Sequence, residues 1–356
     1  MTSLPSLTEL DPSRFFSRSI LRQLAASTRQ LAELKGVAAS IPHQEILINT
    51  LGIQEAKDSS EIENIITTHD ELYKDDIALR NAGNAAAKEV MRYRQALWIG
   101  FKSVQQTGLL LNQHILAMQS ELELNAAGFR KLPGTVLKNS SGQVVYSPPQ
   151  NAQEVIKLMR DLEAFINEPE LFDADPLIKM ALIHHQFESI HPFYDGNGRT
   201  GRLINVLYLV KEGLLDIPVL YLSRYISRHK LDYYRLLQAV HENGHWEEWV
   251  LYMLQSVEHT SRETIATIRA IHNLFTDMKR HLRSTYRFYS QDLLNNLFAH
   301  PYTKIQFIEQ ELNVSRLTAT KYLDTLANDG ILQKHKVGRS SYYVNSQLYR
   351  ILADMD

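Results

Sequence analysis

Residues 191–202 read His-Pro-Phe-Tyr-Asp-Gly-Asn-Gly-Arg-Thr-Gly-Arg, and apolar residues follow them at helical spacing. Gly196 and Gly198 can adopt positive φ and let the backbone approach a ligand closely, so the N–H groups around Asn197 can converge at a helix N-terminus. Converging backbone amides of this kind bind anions. The stretch therefore predicts a phosphate-binding loop that opens a helix.

The charged side chains of this stretch extend the prediction to a reaction. Arg199 and Arg202 are three positions apart, on one face of the first helical turns, where guanidinium groups can bind further phosphate oxygens. Asp195 offers an oxygen ligand to magnesium, which binds through one or two carboxylates together with phosphates and water. His191 suits a general base that takes a proton from an attacking hydroxyl. These residues predict a reaction that uses a nucleoside triphosphate with magnesium and transfers a nucleotide or phosphoryl group.

The stretch resembles the Fic family signature, His-Pro-Phe-x-(Asp/Glu)-Gly-Asn-Gly-Arg-x-x-Arg, at every specified position. The preceding residues 184–190 also resemble the lead-in helix of the family, and the similarity extends over roughly residues 30–260. The family implies protein adenylylation, in which AMP from ATP is attached to a Ser, Thr or Tyr hydroxyl of a target protein.

The resemblance also implies roles for single residues. His191 is the expected base, Asp195 the magnesium ligand and Arg202 the γ-phosphate ligand. A Tyr of the pair Tyr233-Tyr234 lies against the nucleotide in the family, here Tyr233, while Tyr234 is expected to pack in the core. A family position that is often Asn is His241 here. The full set expected to bind ATP is Asp195, Gly196, Asn197, Gly198, Arg199, Thr200, Gly201, Arg202 and Tyr233.

Each of these residues has a structural alternative when it is taken singly. A buried His is often a core residue, Gly-Asn-Gly is often a turn, and Asp at a loop-to-helix junction is often an N-cap. The twelve positions together favour the functional interpretation. A zinc site at His184, His185 and His191 is disfavoured because the chain has no Cys and lacks a His-x-x-x-His pair among them.

Composition bounds the class of protein. A chain of 356 residues, 44% hydrophobic and 22% charged, is expected to form two or three globular domains. The absence of Cys excludes disulfides and thiol nucleophiles, so a cytoplasmic setting is expected. Residues 1–12 have no signal-peptide pattern and no stretch approaches eighteen apolar residues, so neither secretion nor a membrane partner is expected. The net charge of −2 argues against a polycation that binds nucleic acid or membranes.

Residues 58–65 form a second motif, Asp-Ser-Ser-Glu-Ile-Glu-Asn-Ile. It resembles the family's inhibitory signature, (Ser/Thr)-x-x-x-Glu-(Gly/Asn), read as Ser59, Glu63 and Asn64. We expect inhibition by competition, because a Glu63 carboxylate paired with Arg202 occupies the guanidinium that the γ-phosphate needs. The alternative is a capping box, Ser60-x-x-Glu63, that only starts a helix.

Residues 135–137 and 144–146 predict two short strands around a turn at 138–143. This hairpin resembles the Fic flap, which in the family pairs through backbone hydrogen bonds with a segment of the target. The expected flap residues are Val144, Val145 and Tyr146. The alternative is a surface hairpin without this role.

Residues 302–344 resemble a winged helix-turn-helix, with Ser315 as the cap of its second helix. DNA binding would use the basic side chains of Arg316, Lys321, Lys334, Lys336 and Arg339. From position 301 to 356, however, seven Lys or Arg stand against six Asp or Glu. This basic footprint is weak for a DNA-binding domain, so protein docking or dimerisation is an equal alternative.

The predicted fold class is mainly α: a Fic helical core with a short β-hairpin flap, followed by a C-terminal winged helix-turn-helix. Helices are expected at 14–57 with breaks at Gly36 and Pro42, 85–104, 112–124, 151–165, 177–188 and 246–280. The expected domains are an N-terminal helical region at 1–110 with its inhibitory helix near 58–67, a catalytic core at 111–260 with its flap near 135–147, a helical connector at 261–289 and a winged helix at 290–356.

The predicted function is transfer of AMP from MgATP to Ser, Thr or Tyr hydroxyls of target proteins, with inhibition by Glu63 and self-modification. Rival activities on the same loop are UMP or phosphocholine transfer, hydroxyl phosphorylation and de-adenylylation. A rival from another class is a DNA-binding regulator whose core senses nucleotide. The sequence leaves a homodimer open and does not identify the target.

Overall fold

The computed structural model describes residues 4–41, 44–68, 72, 85–138, 141–337 and 340–353. Positions 139–140 of the expected turn, together with Pro42 and Arg339, lie outside the described residues. Fourteen α-helices occupy the described part of the chain: α1 Arg18–Ala39, α2 Gln44–Ile62, α3 Ala85–Thr107, α4 Asn112–Glu123, α5 Ala152–Asn167, α6 Pro176–Ile190, α7 Asn197–Lys211, α8 Ser223–Arg228, α9 Lys230–Asn243, α10 Trp246–Thr285, α11 Gln291–Ala299, α12 Ile305–Leu312, α13 Arg316–Asn328 and α14 Ser346–Ala353. The mainly helical class is confirmed, as are the six helical regions.

Several of these helices begin at a polar N-cap residue. Ser17 accepts a hydrogen bond from the Ile20 amide at the start of α1. Asp175 does the same for the Leu177 amide at α6, and Asn151 caps α5. A side-chain oxygen at the N-cap satisfies one of the four amides that the first turn leaves unpaired.

The helices α6 and α7 form the centre of the molecule, since almost every residue of both is buried. They pack against each other, α3 and α4 pack on α7, and α5 packs on α6. The 40-residue helix α10 packs along α1 and against α6. A helix that is surrounded by other helices on every side has no polar face, which explains the apolar character of α6.

Two small antiparallel sheets complete the described fold. The flap consists of β1 Leu137–Lys138 and β2 Val144–Tyr146, with a bulge that leaves Val145 opposite no residue in the register. The first strand starts two residues later than the expected 135. Near the C-terminus, β3 Tyr302–Thr303, β5 Ser340–Val344 and β4 Gln333–Val337 form a sheet in the order β3-β5-β4.

The element bounds differ from two expected boundaries. The end expected for the catalytic core at residue 260 falls inside the continuous helix α10, and the helix expected near 58–67 is the end of α2, which stops at Ile62. Helices α11 and α14 pack on α2. Among the described residues, no helix combines the length and apolar character that crossing a membrane requires.

Candidate active site

His191 ends helix α6 in a left-handed conformation, with φ 48° and ψ 60°. This conformation is uncommon for a residue with a β-carbon and needs support from its surroundings. Arg130 supplies that support: its Nε donates to the His191 carbonyl over 2.8 Å and its Nη2 to the Ile190 carbonyl over 3.2 Å. Arg130 is itself buried, and sequence reasoning missed it because no motif marks an Arg in the loop before the flap.

The His191 imidazole is neutral at physiological pH. Burial lowers its pKa to about 4, and the positive charge of Arg130 acts in the same direction. Its Nδ1 atom is enclosed and makes no hydrogen bond. A neutral imidazole can accept a proton, which is the property the expected base requires.

The first turn of α7 presents unpaired backbone amides. Gly196 precedes the helix at φ 77°, a conformation suited to glycine, and no side chain caps this end. The amides of Asn197, Gly198 and Arg199 therefore have no partner within the helix. Amides of this kind, together with the helix dipole, attract an anion.

The Asn197 side chain has a structural task. Its Oδ1 accepts from the Phe193 amide and its Nδ2 donates to the Phe193 carbonyl, both over 2.9 Å. The side chain is buried and its amide group is engaged on both sides. The side chain thus holds the loop in shape. The expectation that Asn197 binds phosphate stays a prediction, and its backbone amide is the group available for it.

Arg202 is bound by the end of helix α2. Its Nε donates to Ser59 Oγ over 2.8 Å, and its Nη2 donates to the Ser59 carbonyl and to Glu63 Oε1, both over 2.9 Å. The guanidinium is almost fully buried. Three acceptors thus occupy the donors that a phosphate oxygen would use.

The Glu63 carboxylate also covers the N-terminus of α7. A β-carbon placed on Gly198 would lie only 2.4 Å from Glu63 Oε1 and 3.0 Å from Arg202 Nη1. Glycine at 198 is therefore required for this contact. Burial by itself raises the pKa of Glu63, but the charge of Arg202 and its hydrogen bond outweigh burial and lower that pKa. The carboxylate is ionised and occupies the position where an anion would bind.

Residues 60–65 form the C-terminus of α2. Asn64 adopts a left-handed conformation at φ 63°, the Ile65 amide donates to the Ser60 carbonyl over 3.0 Å, and the Asn64 amide donates to the Glu61 carbonyl over 2.9 Å. This pair of bonds around a left-handed residue is the Schellman motif that ends helices. The capping-box alternative for Ser60 and Glu63 is therefore wrong, since that motif starts a helix and Ser60 Oγ has no partner.

Arg199 is bound by two carboxylates. Its Nη1 binds Glu89 of α3 and its Nη2 binds Glu123 of α4 over 2.7 Å. The side chain is buried between these two carboxylates, so it joins α7 to both neighbours. Its expected role as a phosphate ligand stays a prediction.

Thr200 and Gly201 also serve packing. A β-carbon on Gly201 would lie 2.6 Å from Glu188 Oε1 and 3.2 Å from Phe187 Cδ1, so glycine permits the close approach of α6 to α7. Thr200 Oγ1 is buried and makes no hydrogen bond. Both residues lie inside the helix pair, and their expected contact with ATP stays a prediction.

Asp195 stands at the start of the loop and keeps one carboxylate oxygen available. Its Oδ1 accepts from the Gly196 amide over 2.7 Å, and its carbonyl accepts from Gln119 over 3.3 Å. No group of three or more His, Cys, Asp or Glu that could hold a metal exists among the described residues. Magnesium needs only one or two carboxylates when phosphates and water complete its shell, so Asp195 fits the expected ion.

The two tyrosines of α9 differ in burial. Tyr233 is 2% exposed, its hydroxyl is 2.9 Å from His184 Nε2, and its ring packs on Trp249. Tyr234 is 47% exposed, so the expectation that it packs in the core is not met. The charges of Arg202 and Glu63 act on both tyrosines, and the contact of Tyr233 with the nucleotide stays a prediction.

The flap is anchored beside the base but keeps apolar residues exposed. Tyr146 stacks on His241 at 3.9 Å between ring centroids, and its hydroxyl donates to the Ser189 carbonyl over 3.0 Å. Val144 and Val145 remain 55% and 39% exposed. The Val145 carbonyl accepts from Gln238 of α9 over 3.0 Å. These contacts hold the flap in place next to the His191 loop.

Glu188 is a site residue that sequence reasoning passed over. Burial raises its pKa to about 7, with the charge of Arg202 opposing and that of Glu63 adding to the shift. Its Oε1 is enclosed without a hydrogen-bond partner. The residue lies one turn before His191, and a carboxyl inside an otherwise apolar helix was the signal available in the sequence.

The C-terminal unit follows the expected order of helix, helix and hairpin, and the winged helix remains our interpretation. Ser315 caps α13 by accepting from the Thr318 amide over 3.2 Å, as expected. Of the basic residues expected to contact DNA, Lys334 is paired with Asp324 over 2.6 Å. That carboxylate also accepts a hydrogen bond from the Tyr343 hydroxyl over 2.6 Å. The ion pair with Asp324 lowers the positive potential around Lys334.

Three family models match the chain in succession. Residues 21–102 match the Fic/DOC family N-terminal model, residues 107–209 the Fic/DOC family, and residues 274–348 the C-terminal domain of the SoFic-like protein adenylyltransferases. The second match contains the His191 loop and the start of α7. The third match covers α11 to α13 and the C-terminal sheet.

Curated relatives match over short segments. The protein adenylyltransferase Fic of Aedes aegypti is 33% identical over 112 residues, which is 32% of this chain and 21% of that protein. A probable protein adenylyltransferase of Aquifex aeolicus is 37% identical over 83 residues, 23% of this chain and 25% of that protein. The matched segments thus span a quarter or less of these relatives.

Solved structures extend the likeness to almost the whole chain at the level of the fold. A Fic family protein from Desulfovibrio desulfuricans G20 superposes with a TM-score of 0.59 at 21% identity, covering 94% of this chain and 98% of that one. Fic-1 from C. elegans gives a TM-score of 0.55 at 20% identity, covering 70% and 74%. With the three matched models, the signature loop and this common architecture, the chain belongs to the Fic/DOC family.

Proposed function

We propose that this protein is an adenylyltransferase that moves AMP from MgATP to a Ser, Thr or Tyr hydroxyl of target proteins, itself included. The observation that carries the proposal is the position of a neutral His191 directly before an uncapped helix N-terminus with Arg202 one turn further along. A base and an anion site on one short loop suit nucleophilic attack on a phosphate.

In the proposed reaction the unpaired amides of Asn197, Gly198 and Arg199 hold the phosphates, and Arg202 binds the terminal one. The target hydroxyl oxygen bonds to the α-phosphorus while the bond from that phosphorus to the bridging oxygen breaks. Pyrophosphate leaves, and the hydroxyl proton passes to His191. Because its imidazole is already neutral, no prior deprotonation is needed at pH 7.

Asp195 would hold magnesium through its free carboxylate oxygen. When bound, the ion neutralises charge on the phosphates of the substrate. The protein's own groups do the remaining work: the loop amides orient the phosphates, and the flap holds the target beside the base. Val144 and Val145 are exposed and give that target an apolar surface to pack against.

We further propose that the protein is inhibited by its own Glu63. The support for this is geometric, since Glu63 pairs with Arg202 and lies against Gly198, so a γ-phosphate and this carboxylate compete for the same donors. Two anions cannot share one buried guanidinium without a large electrostatic cost. ATP would then bind in an unproductive pose until α2's end moves away.

The test is incubation with α-labelled ATP, in parallel with γ-labelled ATP. AMP transfer deposits only the α label on protein, phosphorylation deposits only the γ label, and a nucleotide sensor deposits neither. His191→Ala should lower deposition by about 10²–10⁴-fold while MgATP affinity stays within a few-fold, because the ring is needed for proton removal and hardly for phosphate binding. Undiminished labelling by His191→Ala would refute the assigned base.

A further inference from the structure

Lys230 contacts the helix end that carries Glu63. Its Nζ donates to the Ile62 carbonyl over 2.5 Å and lies 3.5 Å from Asn64 Oδ1. Ile62 is the last residue of α2, so its carbonyl is one of the four that a helix end leaves without a partner. Burial raises the pKa of Glu63, and the positive charges of Arg202, Arg199 and Lys230 lower it. Lys230 has the smallest effect of the three.

Local rules disfavour a lysine at this position. Lys230 is the first residue of α9, where the helix dipole repels a cation, and no side chain caps that helix start. The end of α2 lacks the positive charge that stabilises a helix C-terminus: its last turn contains no basic residue, and Glu61 and Glu63 add negative charge there. The ammonium group of Lys230 supplies a positive charge to this end. Residues that break a local rule commonly serve a tertiary purpose.

We propose that Lys230 is a positioning residue for the inhibition, fastening the end of α2 so that Glu63 stays on Arg202 and Gly198. The proposal rests on the proposed function. Arg202 of α7 binds Ser59 and Glu63, and Lys230 of α9 binds the same turn through the Ile62 carbonyl. Losing an ammonium-to-carbonyl bond should shift the balance between the fastened and released helix end by roughly tenfold.

The chain offers a matched control in Lys211. Its Nζ donates to the Ile166 carbonyl in the last turn of α5 over 2.9 Å, which is the same kind of contact at a different helix end. Lys211→Ala should therefore cost similar stability without touching Glu63. Lys230→Arg keeps a cation in reach of Ile62 and should behave more like the wild type.

The experiment measures two quantities in the full-length protein: α-label deposition from ATP, and amide exchange at Glu63, Asn64 and Ile65. We expect Lys230→Ala to raise deposition up to about tenfold and to speed exchange at these three amides. Lys211→Ala should change neither, and Lys230→Arg should return both toward wild type. In a Glu63→Gly background, Lys230→Ala should add no further gain, because the group it positions is gone.

Two results would overturn the proposal. One is unchanged exchange at these amides in Lys230→Ala. The other is a Lys230→Ala protein no more active than wild type in the same assay where Glu63→Gly is activated. If every variant, including Glu63→Gly, deposits no label, the proposed function fails, and the exchange measurement alone then decides whether Lys230 fastens the helix end.

Discussion

At the scale of single residues, the site consists of charges that neutralise one another across helices. Arg202 faces Glu63, and Arg199 faces Glu89 and Glu123. The two arginines are one turn apart yet have different partners, because one pairs with the end of α2 and the other with carboxylates on α3 and α4. This difference decides which of them can release its guanidinium to a ligand.

The first residue-scale prediction concerns the Glu63–Arg202 pair. Glu63→Gly should raise α-label deposition by roughly tenfold or more, because a charge-assisted contact that competes with the γ-phosphate is removed. The double variant Glu63→Gly with Arg202→Ala should lose that gain, since the freed guanidinium no longer exists. The wild type, Glu63→Gly, Arg202→Ala and the double variant are compared at one concentration with saturating magnesium. A folded Glu63→Gly protein with wild-type activity would contradict the inhibitory assignment.

At the scale of elements, close helix contacts determine where glycine is required. Gly100 of α3 meets α4 and α7, and a β-carbon there would lie 2.3 Å from Met118 Sδ and 2.4 Å from Leu207 Cδ1. Gly36 of α1 has no atom within 4 Å of such a β-carbon. Two helical glycines thus occupy opposite packing environments.

These glycines make a paired stability prediction. Gly100→Ala should lower the free energy of unfolding by about 1–3 kcal/mol, because the added methyl group overpacks three helices. Gly36→Ala should raise it by roughly 0.5–1 kcal/mol, because alanine is the better helix former where space is free. Urea denaturation of both variants checks the prediction. A destabilisation by Gly36→Ala equal to that by Gly100→Ala would show that the packing argument fails.

Helix α2 also carries a buried carboxyl, Glu55, that should make stability depend on pH. Burial raises its pKa from 4.5 to about 7, partly opposed by hydrogen bonds from Ser223 and Tyr93. The folded pKa exceeds the unfolded one, so its contribution to stability is present below pH 4.5 and is lost as pH rises through 7. The loss is on the order of 3 kcal/mol.

The matching prediction uses an uncharged replacement. Glu55→Gln should remove that loss, so its unfolding free energy relative to wild type should rise between pH 4.5 and 7. Glu61→Gln changes an exposed carboxyl on the same helix and serves as the control. The measurement is urea denaturation at several pH values. A wild-type to Glu55→Gln difference that stays constant over this range would contradict the assignment.

At the scale of the whole molecule, the C-terminal unit packs on the helix that holds Glu63. Helices α11 and α14 contact α2, while α13 packs chiefly on α12 and also contacts β4. Leu352 of α14 and Leu326 of α13 are both fully buried. The C-terminal unit is therefore in position to influence α2 through α11 and α14.

This packing predicts that two side-chain truncations of similar cost in stability differ in their effect on activity. Leu352→Ala and Leu326→Ala should each cost about 2–5 kcal/mol of stability. Only Leu352→Ala should also raise α-label deposition, because it loosens a helix that supports α2. Thermal unfolding and labelling are measured on the same samples. Equal activity of the two variants at matched stability would show that the C-terminal unit does not act through α2.

The sequence alone determined the loop at His191 and the two helices that flank it, because these features depend on neighbours within a few positions. It also located Ser59, Glu63 and Asn64 through a short motif. Other assignments needed the tertiary structure. Arg199 meets carboxylates 110 and 76 positions away, and Lys230 meets a helix end 168 positions away.

The adjacent residues Tyr233 and Tyr234 also show what the sequence predicts and what only tertiary packing decides. Adjacent residues on a helix point in directions about 100° apart, so one of the pair is buried while the other is partly exposed. Periodicity predicts that they differ, but which of them is buried depends on where Trp249 and His184 pack. Contacts between segments distant in sequence are set by how whole helices pack, and no local pattern contains that information.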